Sequence, residues 1–217
     1  MVKQARAPHS HDGDTEQRIL HAARTVFLKR GTAGARMQEI AEEAGVNQAL
    51  LHYYFRSKER LSEAVFREAA GRMFPAIIQI LGSNLDIGEK IDGIVDTYLT
   101  AMSDRPFLPG YIISELHHHP ERIQQLLGDV AGGKLSDVVR PALDKLDRQL
   151  ATEARAGRLR RISGEQFLVN LLSLCVFPFA AYPMLRAALG FDDDDFRKFI
   201  AQRRKELPQF IRNALTP

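Results

Sequence analysis

The sequence predicts an all-α fold. Apolar residues recur at three- and four-residue spacing along nearly the whole chain, the period of one buried helix face. No stretch alternates apolar and polar residues in the way of strands joined by turns, and no internal repeat is visible. Glycine and proline interrupt the pattern at helix-length intervals, at Gly31, Gly45, Gly82, Pro106, Pro120 and Gly157.

Taken in order, residues 1–13 read as a disordered N-terminal tail, polar and without periodicity. Asp14 and Gln17 open a first helix in the manner of a capping box, with Ile19, Ala23, Val26 and Phe27 on one face, and Gly31 ends it. Residues 37–55 read as two short helices joined by a tight turn. Ile40, Ala41 and Ala44 give the first an apolar face that a neighbour can approach closely. Gly45 takes positive φ at its end, Val46 fills the corner, and Asn47 caps the second helix. Leu50, Leu51 and Tyr54 are expected to return to the core, leaving Gln48, Ala49, His52 and Tyr53 outward.

Ser57 caps a fourth helix from Lys58 to about Leu81, with Leu61, Val65 and Phe66 inward and a kink expected at Pro75. Further helices are expected at about 87–103 and 108–118, then a short one through Leu127. The last three are expected at about 133–156, 164–189 and 193–214. The expected organisation is a helix-turn-helix domain over 14–57 and a larger helical bundle over 58–217.

The chain has 217 residues, 45% of them hydrophobic, which is enough for a substantial core. Its formal net charge of +3 is unevenly placed. Residues 1–60 hold ten basic and seven acidic groups, and the remainder holds twenty of each. The excess therefore sits with the helix-turn-helix, as phosphate binding favours. A lone cysteine, Cys175, excludes an intramolecular disulfide and suits a reducing compartment, and a cytoplasmic protein is expected. The apolar run from Phe167 to Leu185 is interrupted by Asn170, Ser173, Pro178 and Pro183, so a membrane span is not expected. No nucleophile–base pair, metal-ligand spacing or phosphate-cradling glycine loop appears, which argues against an enzyme and against a cofactor.

A rigid two-helix corner presents its second helix to the DNA major groove. Gln48 can pair with an adenine edge and Ala49 can meet a thymine methyl. His52 and Tyr53 are placed to donate to phosphates, which position without specifying. Asn47 joins this set as the cap that opens the helix, and Arg36 and Lys58 as phosphate contacts. Lys3 and Arg6 are the basic residues of a tail that can reach a minor groove.

The run Ile40-Ala41-Glu42-Glu43-Ala44-Gly45-Val46-Asn47-Gln48-Ala49-Leu50-Leu51, continued by Tyr53-Tyr54-Phe55-Arg56-Ser57-Lys58-Glu59-Arg60-Leu61, resembles the tetracycline-repressor (TetR) family of bacterial transcription regulators. The resemblance covers about residues 14–66. It departs from the family pattern at Thr32, where an aromatic is common, and at Ala35 and Arg36, where Thr or Ser is common. It departs again at His52, where Tyr is common. It implies a homodimer that binds a near-palindromic operator, usually as a repressor, and a small-molecule effector in the C-terminal bundle that loosens DNA binding. The alternatives are an activator of the same fold, or a helical protein that binds nucleic acid nonspecifically or acts as a scaffold.

Candidate effector-binding residues are Tyr98, Met102, Phe107, Tyr111, Ile112, Glu115 and Phe177, which mix apolar surface with a few polar groups; most are equally core candidates. Phe167, Leu171, Leu174, Phe196, Phe199, Ile200 and Phe210 give the last two helices apolar stripes. Such stripes either close the protomer core or form the symmetric dimer surface that the resemblance favours. His117, His118 and His119 point about 100° apart on a helix and make a poor metal set. Asp192 to Asp195 suit a helix N-terminus, with Asp193–Arg197 and Asp194–Lys198 at pairing distance. Cys175 reads as a small core hydrophobe. No metal is expected.

Overall fold

The computed structural model describes residues 9–103, 105–118 and 120–217, with side chains described for all of these except 9–12, 69, 115, 116, 118, 122 and 123. Among the described residues there are eleven α-helices and no strand. They are α1 (His9–Gly34), α2 (Met37–Ala44), α3 (Gln48–Tyr54), α4 (Lys58–Leu81), α5 (Ile87–Ser103) and α6 (Leu108–His118), followed by α7 (Pro120–Ala131), α8 (Leu135–Arg155), α9 (Gly164–Ala180), α10 (Tyr182–Leu189) and α11 (Asp193–Leu215).

Two compact units meet between Glu68 and Ala69, rather than at the expected 57/58. The first turns of α4 belong with the first unit because their side chains complete its core. Leu61 and Val65 are fully buried, and the Arg24 guanidinium of α1 pairs with the Glu68 carboxylate at 3.1 Å. That core is Ile19, Leu20, Ala23 and Phe27 from α1, Ile40 from α2 and Leu51 from α3. Helix α1 begins at His9, so residues 9–13, expected in the tail, are helical. Gly31 interrupts α1 where its end was expected. Its φ of 67° and ψ of 166° suit glycine alone, and one further turn follows. Lys3 and Arg6 lie outside the described residues.

The second unit buries Ile91, Ile94, Val95 and Leu99 of α5 with Leu146 and Leu150 of α8, Phe167, Leu171 and Phe179 of α9, and Phe196, Ile200 and Leu207 of α11. Helix α11 packs on α5, and ion pairs Arg204–Asp96 and Arg212–Asp92 flank the contact. Lys90 of α5 is fully buried, and its ammonium donates to the Leu81 carbonyl at 2.6 Å. It thus caps the C-terminal end of α4, where the helix dipole favours a cation. Burial and the nearby Lys145 charge lower its pKa.

The helix expected over 164–189 is two helices, bent by 66°. Pro183 supplies the reason: it has no N–H to donate to the carbonyl four residues back, and it sits instead in the first turn of α10, where none is needed. Pro178, Pro141 and Pro208 are accommodated within helices, as is Pro75 within α4. Among the described residues no single helix is long and apolar enough to cross a membrane; α9 and α10 pass that test only as the bent pair.

Candidate nucleic-acid interface

The corner is built by local bonds that the sequence spells out. At the end of α2, Gly45 adopts φ 63° and ψ 36°. Its N–H donates to Glu42 O at 3.1 Å, and the Val46 N–H donates to Ala41 O at 3.0 Å. This crossed pair is a Schellman motif, available only because Gly45 accepts the left-handed conformation. Two residues on, the Asn47 side chain accepts from Leu50 N–H at 2.7 Å and starts α3, as expected. The Phe55 N–H closes α3 on Leu51 O at 2.8 Å, and Phe55 is buried.

With both ends fixed, α3 has a defined outward face. Leu51 is fully buried, while Gln48, Ala49, His52 and Tyr53 are all exposed. Tyr53 is 76% exposed, yet its ring meets Tyr54 edge-to-face at 5.4 Å, which limits its freedom. Leu50 departs from expectation: it is 36% exposed, because the seven-residue helix turns only one narrow face inward and Leu51 takes it. Asn47 is committed to the cap through its side-chain oxygen, so its role here is to start the presenting helix.

Arg36 stands just before α2 with its N–H donating to the Glu39 carboxylate at 3.3 Å. An arginine has no acceptor to complete a capping box, so its guanidinium, on an exposed residue, is left for other partners. Lys58, the other expected phosphate contact outside α3, opens α4. Its ammonium donates to Ala33 O at 2.9 Å and to Ala35 O at 3.2 Å, bonding the end of α1 and the α1–α2 link rather than pointing freely to solvent. Arg18 had no local sequence signal at all. Its Nη2 donates to Ala44 O at 2.9 Å and Gly45 O at 3.3 Å across 26 and 27 residues of chain.

In the second unit the candidate effector residues separate by burial. Tyr98, Met102 and Tyr111 are buried, and Phe107 and Ile112 are half-buried. Burial raises the Tyr98 hydroxyl above its ordinary pKa, so it stays a neutral donor, with its ring near Phe179. Phe177 is 55% exposed on α9, unlike the buried members of the set. The Glu115 side chain lies outside the described residues.

The stripes on α9 and α11 also divide. Phe167, Leu171, Phe196 and Ile200 are 5% exposed or less and belong to the protomer's own core, the first of the two alternatives for these stripes. Leu174 and Phe199 are half-buried, and Phe210 is 60% exposed. Val169, which was not anticipated, is exposed too. An apolar groove of about 320 Å³ runs between these helices, lined by Leu174, Phe210, Ile211 and Ala214 among others.

Among the described residues no cluster suited to a metal ion occurs. The His117 ring nitrogen Nδ1 lies 2.7 Å from Ile113 O, and His118 and His119 lie outside the described side chains. Asp192 caps α11 by accepting from Asp194 and Asp195 N–H. Arg197 and Lys198 both pair with Asp194, while Asp193 pairs with Arg186 rather than with Arg197. Cys175 is fully buried, and burial pushes its thiol up to about 12, a poor setting for redox chemistry.

Comparison with known proteins agrees with this geometry. Residues 19–65 match the family model described as bacterial regulatory proteins, tetR family. The HTH-type transcriptional repressor SCO4008 of Streptomyces coelicolor is 31% identical over 143 residues, covering 61% of this chain and 72% of that protein. The HTH-type transcriptional repressor KstR2 of Mycolicibacterium smegmatis is 29% identical over 96 residues, covering 44% of this chain and 47% of KstR2. The chain thus spans about half the length of that relative. The fold matches solved structures over nearly its full length. The hemolysin II regulator HlyIIR aligns with a TM-score of 0.54 at 24% identity, over 94% of this chain and 98% of that one. The putative regulator SCO4942 of Streptomyces coelicolor aligns with a TM-score of 0.58 at 22% identity, over 93% and 98%. With the corner, the family match and the SCO4008 similarity in agreement, the chain belongs to the tetR family of bacterial regulatory proteins.

Proposed function

We propose that the protein is a sequence-specific, homodimeric DNA-binding repressor released by a small-molecule effector. The observation that carries this reading is the exposed face of α3. Gln48, Ala49, His52 and Tyr53 share one short helix whose two ends are tied by Gly45, Asn47 and Phe55. A helix held this firmly, with a polar face and little else to bury, suits insertion into the major groove. Gln48 and Ala49 read base edges, and His52, Tyr53 and Arg36 bind phosphates.

Two copies related by a two-fold axis supply the paired half-sites. Val169, Leu174, Phe177 and Phe210 are the apolar side chains offered for that pairing. The effector enters beside Tyr98, Met102 and Tyr111. Release is geometric: α4 runs continuously from Lys58 to Leu81, so displacement of its far end changes the separation of the two α3 helices and both half-sites can no longer be engaged together. Repression is favoured because SCO4008 and KstR2 are both named repressors.

The test is selection of bound fragments from a random genomic library. Enrichment of a palindrome with half-site centres about 34–36 Å apart supports the reading. Uniform weak binding, steeply dependent on salt and blind to sequence, overturns it.

A further inference from the structure

Two cations from outside α2 and α3 brace the backbone around α2, Arg18 at its last residue and Lys58 at the link that enters it. At the C-terminal end, the Schellman motif already satisfies the carbonyls of Ala41 and Glu42. Ala44 O and Gly45 O lie at the negative end of the helix dipole and at the turn into α3. Arg18 of α1 takes both, at 2.9 and 3.3 Å, with a single guanidinium nitrogen. At the N-terminal end, Ala33 O and Ala35 O bracket the link from α1, and Lys58 of α4 takes both, at 2.9 and 3.2 Å. Charge-assisted bonds of this kind are the stronger class.

We propose that Arg18 and Lys58 are positioning residues that set the pose of α3 by clamping α2 between α1 and α4, and that Lys58 acts through this clamp rather than as a phosphate ligand. The idea rests on the reading of α3 as the DNA-contacting helix. Helix α3 has only Leu51 fully buried among its own residues, with Phe55 at its end. So little apolar anchorage leaves its orientation to be inherited from α2 through the turn at Gly45. Releasing either end of α2 lets that orientation spread over several poses, and base readout suffers while phosphate contacts elsewhere remain.

The experiment uses the full-length protein and two probes: a duplex recovered by the wild type from genomic selection, and a random-sequence duplex of the same length. The dissociation constant is measured across a salt series for wild type, Arg18→Ala, Arg18→Lys and Lys58→Met, with Tm recorded for each. Loss of the clamp raises Kd for the selected duplex about tenfold, the size expected for a charge-assisted bond. The slope of log Kd against log salt stays at the wild-type value, and Kd for the random duplex hardly moves. Arg18→Lys keeps a cation and one donor nitrogen, shows a smaller loss of the same kind, and serves where Arg18→Ala does not fold.

If Lys58→Met flattens the salt slope by about 0.9, one phosphate contact has been lost and the clamp is wrong for Lys58. If Tm falls while the folded variants bind the selected duplex as wild type does, both residues are merely structural and the proposal fails. If the wild type itself enriches no duplex, the DNA-binding reading has failed first, which the wild-type selection alone reveals.

Discussion

The turn at Gly45 and the helix pair α9–α11 solve opposite problems. Around Gly45 the structure is held by backbone and side-chain hydrogen bonds, with few large apolar groups. Along α9 the order comes from apolar packing. Phe167, Leu171 and Cys175 face inward at four-residue spacing, while Val169, Ser173 and Phe177 recur at the same spacing on an exposed face. The first region presents a polar face whose orientation is fixed by directional bonds. The second presents an apolar face whose neighbours are chosen by shape. Directional bonds suit reading a rigid partner such as DNA, and apolar faces suit association with another protein surface.

The contrast is broken or sharpened first on α9 and α11. Phe167→Ala is expected to cost roughly 3–5 kcal/mol in denaturant unfolding, since it opens a cavity in the core. Phe210→Glu, on an exposed position, leaves stability within roughly 0.5 kcal/mol but shifts the assembly to monomer in sedimentation. Equal unfolding losses in the two variants erase the distinction between core and outward stripe. Next, the neighbours Leu51 and Leu50 test how narrow the buried face of α3 is. Leu51→Ala is expected to lose about 2–5 kcal/mol and Leu50→Ala under about 1 kcal/mol, read from the same unfolding curves.

Gln48→Ala should relax discrimination at a single base pair by about 1–3 kcal/mol without moving Tm, as judged by competition with singly substituted operators. A uniform loss across all base positions would instead mark Gln48 as a phosphate contact. The smallest effect concerns Cys175. The folded thiol, raised to about 12, stays neutral where an unfolded cysteine near 9.0 ionises. Its contribution to stability is therefore present below pH 9.0 and is lost as pH rises toward 12. Labelling by a thiol reagent between pH 7 and 9 should track global unfolding; rapid labelling of the native protein means that α9 opens on its own.

The corner was legible in the sequence because its determinants are local. Gly45 is needed for a positive φ, and Asn47 lies three residues from the N–H it accepts. The boundaries of α5 and α6 followed from glycine, proline and apolar spacing in the same way. Where local sequence is silent, the missing information is nonlocal. Leu50 and Leu51 are chemically alike, and only the tertiary packing buries one of them. The aromatic stripe on α11 does not show which rings meet α9 and α5 of the same protomer, so Phe196 and Phe210 look alike in sequence, yet one is buried and the other exposed. The break at Ala181 was signalled by Pro183, but Pro178 carried the same signal and its helix continued.

Sequence by itself determined the helical fold, the order of elements, the capped turn and the composition of the face on α3, because each depends on residues within one or two turns of each other. Only the tertiary structure decided that Lys58 spends its ammonium on Ala33 and Ala35, that Arg18 reaches Ala44 and Gly45, and which side of α9 remains outside. Those outcomes depend on which carbonyls other helices leave unsatisfied and which apolar faces they cover. Periodicity along one helix carries no record of either.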